Sequence, residues 1–156
     1  MANSVYKTRT NYVRVTDENE FKRIIGLCNC TDSEPLTLIT KDIDGETHFG
    51  FCVEGDINGY LIDENDNIVD PNSDDFDEEA DYDTNYDRFI DDIQSVIAPG
   101  DALIITTIGC ENMRWLSSCV TVITCDARKT AFLSDVAYNA AQTMLGDNTW
   151  TTEMWY

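Results

Sequence analysis

Sixteen of the chain's thirty acidic residues lie between Glu54 and Asp92, and Arg88 is the only lysine or arginine among them. That window carries a formal charge of about −15 out of −20, which leaves about −5 for the rest of the chain. From Asp70 to Asp83 the sequence is almost wholly polar, interrupted only by Phe76, Ala80 and Tyr82. Such a piece cannot bury enough apolar surface to order itself and reads as a loop or a partly disordered arm. The charge also constrains partners. It projects a negative field that attracts basic surfaces and repels nucleic acid and anionic lipid.

The chain has 156 residues, which fits one domain able to bury roughly 70% of its unfolded surface. Its 42% hydrophobic content argues against global disorder. No apolar run approaches the roughly 18 residues of a membrane span, and MANSVYKTRTNYVRV lacks the apolar core of a signal peptide. A cytosolic location is therefore expected. Six cysteines, Cys28, Cys30, Cys52, Cys110, Cys119 and Cys125, then read as free, mostly buried thiols. Cys28 and Cys30 form C-x-C, which lacks the spacing of a zinc knuckle or a C-x-x-C redox motif, and His48 is the only histidine.

Along the chain, residues 5–15 read as a first strand. Thr16 or Asp17 caps a short helix, with Glu20 as the capping-box partner. Phe21, Ile24, Ile25 and Cys28 fall on one helical face, Gly26 near the stop, and Asn29 to Pro35 form a polar connector. Residues 36–53 predict a hairpin turning at Asp44-Gly45, followed by a short strand around Gly59–Ile62 and a turn at 63–67. Residues 84–98 predict the best helix, with an apolar stripe of Tyr86, Phe89, Ile90, Ile93 and Ile97, stopped by Pro99-Gly100. A buried-type strand at 102–108, a returning strand at 115–124 and a short edge at 129–133 precede a last helix capped by Ser134 and ended by Gly146. The tail 147–156 carries Trp150, Trp155 and Tyr156. This order predicts a single α+β domain spanning 1–156, a mainly antiparallel sheet with about three helices on one face and an acidic loop at 70–83.

Several chemistries compete for the carboxylates. Asp63, Asn65 and Asn67 match the opening of an EF-hand loop, but Ile68 stands where that loop needs glycine and Asp74 where it needs a bidentate glutamate. The Asp44-Gly45 and Asn58-Gly59 fragments are explained by tight turns. No metal or cofactor is expected. No P-loop, dinucleotide fingerprint or nucleophile elbow supports an enzyme, and His48 alternates with Phe49 and Phe51 as a packed or surface residue would. Direct nucleic-acid binding is disfavoured by the charge. The reverse holds better. Duplex DNA shows one charge per about 1.7 Å of axis, and a surface imitating it needs closely spaced carboxylates on a scaffold. The spacing of Asp83, Asp87 and Asp91 predicts one such row on a helix.

The stretches TNYVRVTDENEF (10–21), FGFCVEGDINGY (49–60), APGDALIITTIGCE (98–111) and LGDNTWTTE (145–153), together with the acidic segment leading into a short helix, resemble small acidic proteins of bacterial mobile elements. The resemblance implies a context in which inhibitors of host defence, anti-restriction and anti-CRISPR proteins among them, look like DNA to their targets. It transfers no catalytic residue. The expected function is a non-enzymatic inhibitor that binds the basic groove of a defence nuclease or other DNA-binding protein in the bacterial cytoplasm. Its contact set would be Asp74, Asp75, Asp77, Glu78, Glu79, Asp81, Asp83, Asp87, Asp91 and Asp92. The alternative is a regulatory or immunity-type binding module that uses the aromatic tail.

Overall fold

The computed structural model describes residues 4–31, 34–111 and 115–146. The chain runs β1 (Ser4–Thr10), α1 (Glu18–Gly26), β2 (Cys28–Cys30), β3 (Thr37–Ile43), β4 (Glu46–Val53), β5 (Ile57–Ile62), β6 (Ile68–Val69) and β7 (Asp83–Asn85). It continues α2 (Tyr86–Val96), β8 (Leu103–Glu111), β9 (Trp115–Ile123), β10 (Arg128–Phe132) and α3 (Leu133–Leu145). All strand pairs are antiparallel, as expected for an α+β domain of this order. They form two sheets, however: a six-stranded one in the order β10-β9-β8-β1-β4-β3, and a smaller one in which β5 pairs with β2 and β6 along one edge and β7 along the other.

Local sequence dictates the tightest features. The β3–β4 hairpin closes at Asp44 (φ 52°) and Gly45 (φ 83°), two successive left-handed residues whose twist matches the flanking strands. Asp17 caps α1 by accepting from the Glu20 N–H at 3.0 Å. Glu20 does not complete a capping box, because its carboxylate is held by Arg23 at 2.7 Å and 2.8 Å. Asn85 caps α2 by accepting from Arg88 N–H at 2.9 Å.

Phe21 and Ile24 of α1, Phe89, Ile90 and Ile93 of α2, and Phe51, Leu103 and Ile123 of the large sheet are almost fully buried. Burying each such side chain stabilises the fold by about 1.5–3 kcal/mol. Phe89 stands at the centre. Its ring is perpendicular to that of Tyr60 at 5.6 Å and edge-on to Phe51 at 6.3 Å, the T-shaped geometry aromatic quadrupoles favour. The helices do not share this work equally. α1 and α2 pack on each other, whereas α3 touches β9 and β10 and buries none of its residues.

Several sequence expectations are corrected. Cys28 and Cys30 belong to β2 rather than to a helix face and a connector, because β5 offers them a pairing edge. Asp83 lies in β7, also paired to β5, so α2 begins only at Tyr86 and the helical row Asp83–Asp87–Asp91 does not exist. Gly59 sits inside β5, in the short strand expected there, and the tight turn also read at Asn58-Gly59 does not form. With no side chain it lets the backbone of Asn85 and Tyr86 pass where a Cβ would stand 2.5 Å away, and its φ of 97° also favours glycine. The strand at 102–108 alternates instead of being buried throughout: Leu103 and Ile105 face the core while Ile104 and Ile108 are exposed. Phe132, not Ser134, occupies the N-cap of α3, with no side-chain bond. Gly146 ends that helix in the left-handed conformation expected of it.

Candidate protein-binding surface

Residues 70–82 leave β5 on one side and return to it on the other. Ile62 faces Ile68 of β6 and also Asp83 of β7. Between these points the chain advances by short turns, each bonded through its own polar residues. Ser73 N–H donates to Asp70 O, Phe76 N–H to Ser73 O and Ala80 N–H to Asp77 O at 3.0–3.2 Å. The side chains of Asp70 and Asp77 each accept a backbone N–H two residues on, from Asn72 at 2.8 Å and Glu79 at 3.0 Å. The loop is tied to the body by Asn72, which donates to Gly26 O at 3.0 Å at the end of α1. Phe76 and Tyr82, the aromatic interruptions of the acidic run, stack on each other at 5.5 Å and 19°.

The carboxylates that have cationic partners are unevenly placed. Every ion pair among the described residues lies outside 70–83: Lys22–Glu18, Arg23–Glu20, Lys7–Glu54, Arg14–Glu46, Arg14–Asp101, and Arg128 with both Asp87 and Asp91. By contrast, Asp74, Asp75, Asp77, Glu78, Glu79, Asp81 and Asp83 are exposed and have no cationic partner among the described residues. Asp77 is the one of these whose carboxylate bonds its own turn.

The three helical members of the expected contact set differ from the loop. Asp87 and Asp91, one turn apart on α2, are bridged by Arg128 of β10 at 3.2 Å and 2.6 Å. Asp92 accepts the hydroxyl of buried Tyr60 at 2.8 Å. The structure thus leaves the loop carboxylates exposed without a cation among the described residues and gives the helix residues internal duties. Composition alone marked the loop; the Arg128 clamp links positions 37 and 41 residues apart and has no local signal.

The other acidic fragments turn inward. Asp63 Oδ1 accepts from the N–H groups of Asn65 and Asn67 at 2.9 Å and 2.8 Å, and Asn67 Nδ2 reaches both carboxylate oxygens. These bonds to Asn67 and Asn65 hold the Asp63 carboxyl below its ordinary value. Among the described residues no group of three or more His, Cys, Asp or Glu side chains is placed to hold a metal ion. All six cysteines are free thiols. The Cys28 thiol is pushed upward by its neighbour Cys30 and by burial, which keeps it protonated.

Three concavities accompany these features. One of about 750 Å³ adjoins the acidic loop and is lined by Phe76, Tyr82, Leu61 and Pro35 together with Glu34, Glu78 and Asp81. Another, of about 410 Å³, includes Tyr86, Cys119, Thr121, Thr130 and Phe132. A third, of similar size, includes Lys7, Arg9, Ile104 and Ile108. Residues 147–156, with Trp150, Trp155 and Tyr156, lie outside the described residues. Among the described residues no helix is long and apolar enough to cross a membrane. No family model matches the chain, and comparison with curated proteins and with solved structures gives no match either.

Proposed function

We propose that the protein is a non-enzymatic inhibitor whose acidic loop occupies the nucleic-acid groove of a basic DNA-binding protein, such as a host defence nuclease. The observation that carries this reading is the division of its carboxylates. Seven described carboxylates outside 70–83 are held by internal cations, while the seven from Asp74 to Asp83 stand exposed, close together in sequence and without one. Uncompensated like charges repel one another and cost stability, and a basic partner removes that cost on binding. Each carboxylate can take the place of a phosphate against lysine or arginine through a charge-assisted hydrogen bond. The loop is the primary contact, and Asp87 and Asp91 extend it if Arg128 lets go.

Long-range attraction makes such association fast and strongly dependent on salt. The test is capture of a DNA-binding protein from bacterial lysate by the immobilised chain, with duplex DNA as competitor. A captured nuclease is expected to be released by DNA and by raised salt. A variant with Asp74, Asp75, Asp77, Asp81 and Asp83 changed to Asn, and Glu78 and Glu79 to Gln, is expected to capture nothing. Capture that persists in excess DNA, or that survives neutralisation of the loop, overturns the reading.

A further inference from the structure

The concavity beside the loop brings together three kinds of chemistry that the sequence keeps apart. Leu61, buried on β5, and Pro35 supply apolar surface. Phe76 and Tyr82 supply a pair of stacked rings, each half-buried. Glu34, Glu78 and Asp81 are exposed, line the same space and have no cationic partner among the described residues. Its volume of about 750 Å³ falls within the roughly 300–1,000 Å³ of sites that take ligands larger than a single ion.

One kind of side chain uses all three at once. An arginine lays its methylene stem on apolar surface, stacks its planar guanidinium on an aromatic face and donates in a fork to carboxylates. A phosphate or an acidic peptide is repelled here. A wholly apolar segment would strip water from three carboxylates without replacing their hydrogen bonds. We infer that this groove receives an arginine side chain from an extended basic segment of the partner protein. The inference rests on reading the loop as a surface for a basic protein. It adds that recognition is not charge alone: one inserted residue fixes where the partner sits, and the surrounding carboxylates steer it there.

The probe is a fluorescein-labelled nona-arginine peptide titrated with the full chain and followed by anisotropy, with nona-lysine as comparison, at about 0.05 M and about 0.3 M salt, where the screening lengths differ more than twofold. Phe76→Ala/Tyr82→Ala leaves the net charge unchanged and is expected to weaken nona-arginine binding roughly five- to thirtyfold at both salt concentrations, and to erase the preference for arginine over lysine. Ala80→Trp, at an exposed loop position lining the same space, fills the groove while keeping both rings and is expected to produce a similar loss. Glu78→Gln/Asp81→Asn should weaken binding mainly at low salt. Asp44→Asn/Asp126→Asn removes the same charge at exposed positions away from the groove and should change affinity less than about twofold. Melting curves for each variant check the fold. If the ring variant and Ala80→Trp both bind nona-arginine as the wild type does, the groove inference is overturned while the acidic-surface reading stands. If the wild type does not bind nona-arginine even at low salt, the acidic-surface reading itself falls.

Discussion

The hydroxyl of Tyr60, a residue with no accessible surface, donates to Asp92 Oδ2 at 2.8 Å, so a carboxylate of α2 serves the core rather than the surface. Removing either partner is expected to cost unequal amounts. Asp92→Ala leaves a buried hydroxyl unsatisfied and should cost about 1–3 kcal/mol, whereas Tyr60→Phe removes donor and need together and should cost about 0.5–1.5 kcal/mol. Asp92→Lys is therefore expected to damage the fold. Urea unfolding of the three variants checks the order. Burial, and then the bond to Asp92, raises the Tyr60 phenol above its ordinary value of 10.0. Its contribution is full below that value and is lost as pH rises through the higher folded one, so stability should decline in alkaline solution and decline less in Tyr60→Phe.

Acid stability should depend on Asp101. Its carboxylate accepts the Arg14 N–H at 2.7 Å and the guanidinium at 2.6 Å, joining the stretch after β1 to the approach to β8. The bond to Arg14 holds the Asp101 carboxyl below its ordinary value of 3.8. A carboxyl lowered on folding contributes stability above its unfolded value and loses it as pH falls through the folded one. Melting temperature should therefore drop on acidification below about pH 4, and the drop should be shallower in Asp101→Asn. Equal slopes in the two proteins would show that other carboxylates carry the acid transition.

Arg128 is expected to act as a brake on the acidic surface. It holds Asp87 and Asp91 together, and Arg128→Ala releases both while adding one unit of net negative charge. Association with nona-arginine at low salt should become faster, with little change in melting temperature because exposed ion pairs contribute little. Stopped-flow anisotropy measures this. An unchanged rate would mean that the α2 carboxylates do not contribute to steering.

Two glycines with similar backbone angles separate strain from crowding. Gly59 (φ 97°) and Gly100 (φ 88°) both occupy left-handed conformations, but a Cβ at Gly100 meets nothing within 4 Å while one at Gly59 meets the backbone of Asn85 and Tyr86 at 2.5 Å. Gly100→Ala should cost about 1–2 kcal/mol. Gly59→Ala must also push β7 and the start of α2 away from β5, and should be far worse. Comparable melting temperatures for the two variants would contradict this.

The sequence made legible those elements whose signals are local. The Asp44-Gly45 turn, the Asp17 cap and the Phe89, Ile90 and Ile93 part of the helical stripe each carry their own cause and stand where the spacing predicts, whereas Tyr86 of that stripe is exposed and Ile97 is the C-cap beyond the helix. The elements it obscured owe their state to a distant partner. Cys28–Cys30 and Asp83–Asn85 have no strand pattern of their own and become strands because β5 presents two open edges. The run Leu103–Ile108 could not say which of its faces would be covered, since an apolar stretch reads the same whether one side or two are packed. In the candidate surface, the exposed loop followed from composition. The groove did not, because Pro35, Leu61, Phe76 and Tyr82 meet only once β5 has gathered the chain around itself.

That gathering has a further consequence. The acidic segment enters and leaves on either side of Ile62, two strand spacings or about 10 Å apart. Its length and sequence can therefore change without disturbing the register of any strand, and doubling it would cost only about 0.6 kcal/mol in closure entropy. The scaffold is in this respect a socket, and the loop a cartridge that can be exchanged for one of another length or charge.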